Sequence, residues 1–194
     1  MEESTTRTTA RRLGCIGWGS LIENSGCLVT AGQWKNDGPL LPVEFARESS
    51  DGRITLVICP TAARVPTRWI LVNQSDVQAA RANLGFREHP KATQKWIDES
   101  IGFWERTSAA QYGMESETIS AWGTAQGLDG VVWTNLPCGF KTSRHVMPSC
   151  EDLLTHLGNL DGAALGRARD YVRNAPVEVN TAYRRQIVAQ LGWE

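Results

Sequence analysis

Leu13 to Trp18 is an apolar run of strand length, and it passes directly into Gly17-Trp18-Gly19-Ser20-Leu21-Ile22. A buried strand followed at once by a tight loop satisfies that order. Two glycines around a bulky aromatic let the backbone turn sharply and leave N–H groups open to a ligand. The segment is no dinucleotide fingerprint, because the third glycine is missing, and it has neither the P-loop lysine nor the nucleophile-elbow pattern around Ser20. Gly17, Trp18, Gly19, Ser20 and Leu21 are thus candidate binding residues. Short turns of this kind are commonly structural, with a serine bonded to its own backbone, so an ionisable partner is needed to make the segment chemical.

The remaining patterns read as α+β. Asn36-Asp37-Gly38-Pro39 signals a turn, after which Leu40 to Ala46 and Arg53 to Cys59 form a hairpin joined through Glu48-Ser49-Ser50-Asp51-Gly52. Thr67 to Val72 is expected as a third strand of that group. Ser75 with Gln78 forms a capping box for a helix that Gly85 should end. Residues 86 to 112 fit neither period cleanly. Ser116 can open a helix that stops at Gly127, and Gly130 to Leu136 reads as another buried strand. Ser149, Asp161 and Thr181 then start three helices that make the last third helical. The expected architecture is a small mixed β-sheet or partly closed barrel flanked by helices. No repeat or linker divides it, so residues 13–194 are read as one domain behind a disordered polar tail, residues 1–12.

Charge narrows the partners. Lys plus Arg number 20 and Asp plus Glu 21 in the 194 residues, which leaves no excess field for a polyanion or an anionic membrane. A small molecule is expected instead, and neither nucleic acid nor membrane. The five cysteines are scattered without a Cys-x-x-Cys pair, and His89, His145 and His156 lie far apart, so no disulfide framework, metal or cofactor is expected. No apolar stretch of signal-peptide length follows Arg11 and Arg12, and none later is long enough to span a bilayer, which makes the cytoplasm the expected location. The oligomeric state is left open.

Two carboxylates compete for the role of ionisable partner. Alternation along its strand places Glu44 on the face of Leu40, Pro42 and Ala46, where it would be either paired, for instance to Arg53 across the hairpin, or perturbed. Glu88 lies in Gly85-Phe86-Arg87-Glu88-His89-Pro90, where a loop past the expected helix end can deliver it to the mouth of the sheet. The plain alternative is an exposed Arg-Glu pair of little energetic weight. Eight tryptophans are mostly core, with some free to wall an organic pocket.

The order of strand, Gly-Trp-Gly-Ser-Leu-Ile loop, a strand carrying Glu44-Phe45-Ala46-Arg47, a Ser-Ser-Asp-Gly-Arg turn, another strand, and Arg87-Glu88 after a helix resembles the gamma-glutamylcyclotransferase-like family, and within it the ChaC-type, glutathione-directed branch. The resemblance covers roughly residues 13 to 90. It implies that Trp18, Gly19, Ser20 and Leu21 hold a gamma-glutamyl group, with Trp18 standing where the family has tyrosine, and that Glu88 is the catalytic acid/base, with Glu44 and Arg47 as secondary candidates. The implied reaction closes 5-oxoproline and expels an amine or amino acid without a cofactor. A non-catalytic small-molecule sensor of the same fold, or an amidohydrolase using the same pocket, would need the same loop.

Overall fold

The structure, a computed structural model, describes residues 11–194. Most of the expected tail lies outside them, but its last two residues are tied down: Arg11 pairs with Glu105 at 3.0 Å, and the Arg12 amide donates to Asp129 at 2.8 Å.

The chain is α+β. Strand β1 (Leu13–Gly17) runs into a short helix, α1 (Ser20–Glu23), and is followed by β2 (Thr30–Lys35), β3 (Val43–Glu48), β4 (Ile54–Ile58) and β5 (Arg68–Val72). Helices α2 (Val77–Glu88) and α3 (Gln94–Ser100) precede β6 (Ile101–Glu105) and β7 (Gln111–Tyr112). Then come α4 (Ser116–Ala125), β8 (Gly130–Thr134), α5 (Cys150–Gly158), α6 (Gly162–Asn174) and α7 (Ala182–Leu191).

Six strands form one mixed sheet in the order β2-β5-β1-β8-β6-β7, and β3 with β4 forms a separate two-stranded sheet. No barrel closes. The strand 68–72 is therefore not the third member of the hairpin group; it pairs antiparallel with β1, Leu13 facing Val72 and Gly17 facing Arg68. On its other side β1 pairs parallel with β8, so its C-terminal end opens between two strands of the sheet's middle. A ligand loop placed there sits where backbone hydrogen bonding ends and the sheet offers a crevice.

Alternation sorts the core into two layers. Leu13, Cys15, Ile70, Val72 and Val132 face α2 and α3, packing on Val77, Ala80, Leu84 and Ile97. Ile16, Trp69, Val131 and Trp133 face the other way, onto the β3–β4 hairpin and helices α4 to α7 through Phe45, Leu56, Ile119, Leu153, Val172 and Ile187. Several caps fall where the residue types require them. Ser149 and Thr181 accept from the amides of Asp152 and Arg184, and Asp76 accepts from Ala79. Among the described residues no helix is long and apolar enough to cross a membrane.

Candidate functional site

The end of β1 builds the floor of the site. After Gly17 the backbone turns at Gly19 (φ −153°, ψ −136°), which precedes α1 with no side-chain cap. The Ile22 amide donates to the Gly19 carbonyl at 2.9 Å, whereas among the described residues the amides of Gly19, Ser20 and Leu21 donate to no acceptor. Trp18 is 4% exposed, and its indole Nε1 donates to the Leu56 carbonyl at 3.2 Å. This aromatic is a structural pin: it locks the loop to the outer edge of β4, which has no strand neighbour on that side.

Over this floor lies a cavity of about 620 Å3 whose lining includes Gly17 to Leu21, Arg47, Arg53, Arg87, Glu88, Trp96 and Tyr171. All five loop residues named from the sequence thus line the same cavity as Glu88. The helix α2 does not stop at Gly85, as its glycine suggested, but continues to Glu88. The physical reason is packing: a Cβ at Gly85 would lie 2.7 Å from Ile97, so this glycine lets α3 approach α2 and has no capping role. Glu88 is consequently presented from the last helical turn, a firmer support than the loop expected for it.

The Arg87-Glu88 pair is not the exposed pair considered above. Arg87 Nη1 donates to Glu88 Oε1 at 2.6 Å, with the two side chains only 12% and 17% exposed. Arg87 also donates to the Asn24 carbonyl at 2.6 Å, fixing the pair to the segment just after α1. The other carboxylate oxygen, Oε2, takes no hydrogen bond among the described residues.

Glu44 belongs elsewhere. It is 3% exposed and does not line the cavity. Its partner is not Arg53, which bonds Asp51 at 2.9 Å. Instead Glu44 Oε1 accepts from the Phe45 amide at 2.9 Å and Oε2 from the Tyr183 amide at 3.2 Å, tying β3 to the first turn of α7. Burial pushes its carboxyl pKa up, and bonds from Thr181 and these amides pull it back only in part. The sequence pattern placed this carboxylate among apolar groups; it did not show that α7 would supply one of its amide partners.

Arg47 does reach the cavity. Its Nη1 donates to the Pro137 carbonyl at 2.8 Å, and among the described residues it forms no ion pair. Burial, followed by the nearby charge of Arg144, lowers its pKa to about 10. A half-buried guanidinium in a cavity wall, with a cation for a neighbour, is suited to receive an anionic group.

Tyr171 was not singled out from the sequence. It comes from α6, where Leu165, Ala168 and Val172 mark an apolar stripe, so its spacing alone reads as core. Its hydroxyl accepts from the Leu56 amide at 3.1 Å. The peptide of Leu56 therefore serves both aromatics, its carbonyl taking Trp18 and its amide Tyr171.

A groove of similar size, about 630 Å3, runs between α5 and α7 past Cys150, Leu154, Tyr183 and Gln186. Neither carboxylate nor any loop residue lines it. Among the described residues no three His, Cys, Asp or Glu side chains are grouped to hold a metal ion. In comparisons with known proteins the chain matches no family model, no curated protein and no solved structure.

Proposed function

We propose that this protein is a gamma-glutamylcyclotransferase-like enzyme, which cyclises a gamma-glutamyl amine or peptide to 5-oxoproline and releases the amine. The observation that supports this best is that Glu88, with one carboxylate oxygen open, shares a cavity with a loop whose Gly19, Ser20 and Leu21 amides are unpaired. The reaction needs those two features together. The substrate's α-amine nitrogen attacks its own γ-carbonyl carbon, and the carbon's bond to the leaving nitrogen then breaks. Because the attack is intramolecular, holding the chain folded back in a near-attack geometry supplies much of the acceleration.

In this reading Glu88 Oε2 takes a proton from the attacking amine and passes it to the leaving nitrogen, while Arg87 fixes the direction of the carboxylate. The amides of Gly19, Ser20 and Leu21 face the oxygen on which charge develops. Arg47 offers a positive charge to a carboxylate of the substrate. Incubating the protein with gamma-glutamyl peptides and amines, and measuring 5-oxoproline, tests the reading. Product should appear and be lost in Glu88→Gln. A gamma-glutamyl compound that binds but gives no product would replace the enzyme with a sensor, and free glutamate in place of 5-oxoproline would make it an amidohydrolase.

A further inference from the structure

The Tyr171 hydroxyl is only half used. It accepts the Leu56 amide at 3.1 Å, which occupies a lone pair and leaves the O–H itself to donate. Among the described residues it donates to no acceptor. A phenolic O–H at the wall of a cavity, with its oxygen anchored from behind, points its hydrogen at whatever fills that cavity.

Its position is fixed on every side. The ring meets Phe45 edge-on, with centroids 6.0 Å apart and planes at 86°, and the Arg53 guanidinium lies 5.5 Å above it. Asn174, one turn further along α6, donates to Glu23 of α1 at 2.9 Å and so ties the tyrosine's helix to the ligand loop. A Cβ placed on Gly19 would lie only 2.8 Å from the Tyr171 hydroxyl oxygen. The glycine therefore gives the hydroxyl room against the unpaired loop amides.

We infer that Tyr171 donates a hydrogen bond to the acyl oxygen of the bound ligand, completing, with the Gly19 loop amides, the group of donors that stabilises the oxyanion. This rests on the cyclisation reading above, in which that oxygen gains charge as the amine attacks. The tyrosine keeps its own proton throughout; the proton in transit is carried by Glu88. Burial, helped by the weaker charge of Glu88, pushes the hydroxyl's pKa up to about 12 against the lowering effect of the Leu56 amide and the smaller ones of Arg53 and Arg87, so it stays a donor across the neutral range.

The test uses the full chain, with gamma-glutamyl-alanine as probe and three replacements: Tyr171→Phe, Gly19→Ala, and site-specific 3,5-difluorotyrosine at position 171. Tyr171→Phe should lower kcat by about 10²-fold with little change in KM, the range typical of one lost oxyanion donor. Gly19→Ala keeps the phenol but displaces it, and should show the same kcat loss. The fluorinated hydroxyl ionises earlier, so the alkaline fall of kcat should move toward neutral pH. Its fluorine resonance should also shift when the probe binds. An unchanged kcat in Tyr171→Phe, or losses that track the folded fraction with the alkaline limb unmoved, would overturn the inference. If the unmodified protein makes no 5-oxoproline, the fluorine signal separates the two claims. A shift with the probe upholds the hydroxyl's contact and rejects the cyclisation, and no shift rejects both.

Discussion

Glu44 and Glu88 are both carboxylates held largely away from water, and they differ in what their oxygens do. Glu44, at 3% exposure, spends both oxygens on backbone amides, one from its own strand and one from α7. Glu88, which lines a cavity of about 620 Å3, gives one oxygen to Arg87, and among the described residues its other oxygen takes no hydrogen bond. Burial and a displaced pKa therefore do not by themselves place a carboxylate at the cavity. Glu44 has the raised pKa, yet it does not line the cavity. A free lone pair facing open space beside unpaired donors is the better sign, because only such a group can exchange a proton with something that arrives.

The sharpest way to break this contrast is Glu88→Gln. It keeps the size and the bond from Arg87 but removes the titrating oxygen, so turnover should fall by roughly 10²- to 10⁴-fold, as expected for a lost general acid–base. Ligand affinity and thermal midpoint should stay near those of the unmodified protein. Comparable turnover would show that Glu88 only positions Arg87.

Glu44→Gln should behave in the opposite sense. Its amide nitrogen cannot accept, so either the Phe45 or the Tyr183 N–H is left unpaired in the core, at about 1–3 kcal/mol. Chemical denaturation should report that loss, while turnover per folded molecule is retained. Loss of 5-oxoproline release from folded Glu44→Gln would move the acid/base role to Glu44 and leave the reaction class intact.

The same pair makes a prediction about pH. Burial raises the folded-state pKa of Glu44 above its ordinary 4.5, so between the two values the folded chain binds more protons than the unfolded one. The stabilisation from this group is full below the unfolded value and is lost as pH rises through the folded one. Asp51 works the other way. Ser49 and Arg53 outweigh its burial and hold its pKa down to about 2, so its contribution is present above the ordinary aspartate value and lost as pH falls through about 2. Denaturation midpoints measured upward from about pH 4 should carry a downward component that Glu44→Gln removes.

How much of this was legible in the sequence follows from the range of the interactions involved. Patterns of period two and period 3.6, with caps at Ser149 and Thr181, gave the strand into the loop, the hairpin and the C-terminal helices, since these depend on neighbours in the chain. Strand β2 was not foreseen: its burial is mixed, Thr30 and Trp34 half-covered and the rest exposed, so it carries no continuous apolar signal. Residues 86–112 resisted because α3 passes into β6 without an intervening turn, Ser100 next to Ile101, and no local stop marks the change. The site divides in the same way. The loop and Arg87-Glu88 show as local motifs, whereas Tyr171 enters through α6 packing against α1 from more than a hundred residues away, and its spacing is that of an ordinary core position.

The smallest expected effect lies inside the loop itself, at Ser20→Ala. Among the described residues the Ser20 side chain makes no hydrogen bond, so the replacement removes no partner and should change stability by less than about 0.5 kcal/mol. Turnover should drop a fewfold at most, because the loop is proposed to act through the amides of Gly19, Ser20 and Leu21, all of which alanine retains. That near-silence is informative against the alternatives. A nucleophilic serine would lose nearly all activity on truncation and would pass through an acyl-enzyme that trapping reagents label. Ser20→Ala measured beside Glu88→Gln therefore separates two kinds of site. A large effect at Glu88 with a small one at Ser20 fits direct cyclisation by a bound amine, and the reverse order fits acyl transfer through the hydroxyl.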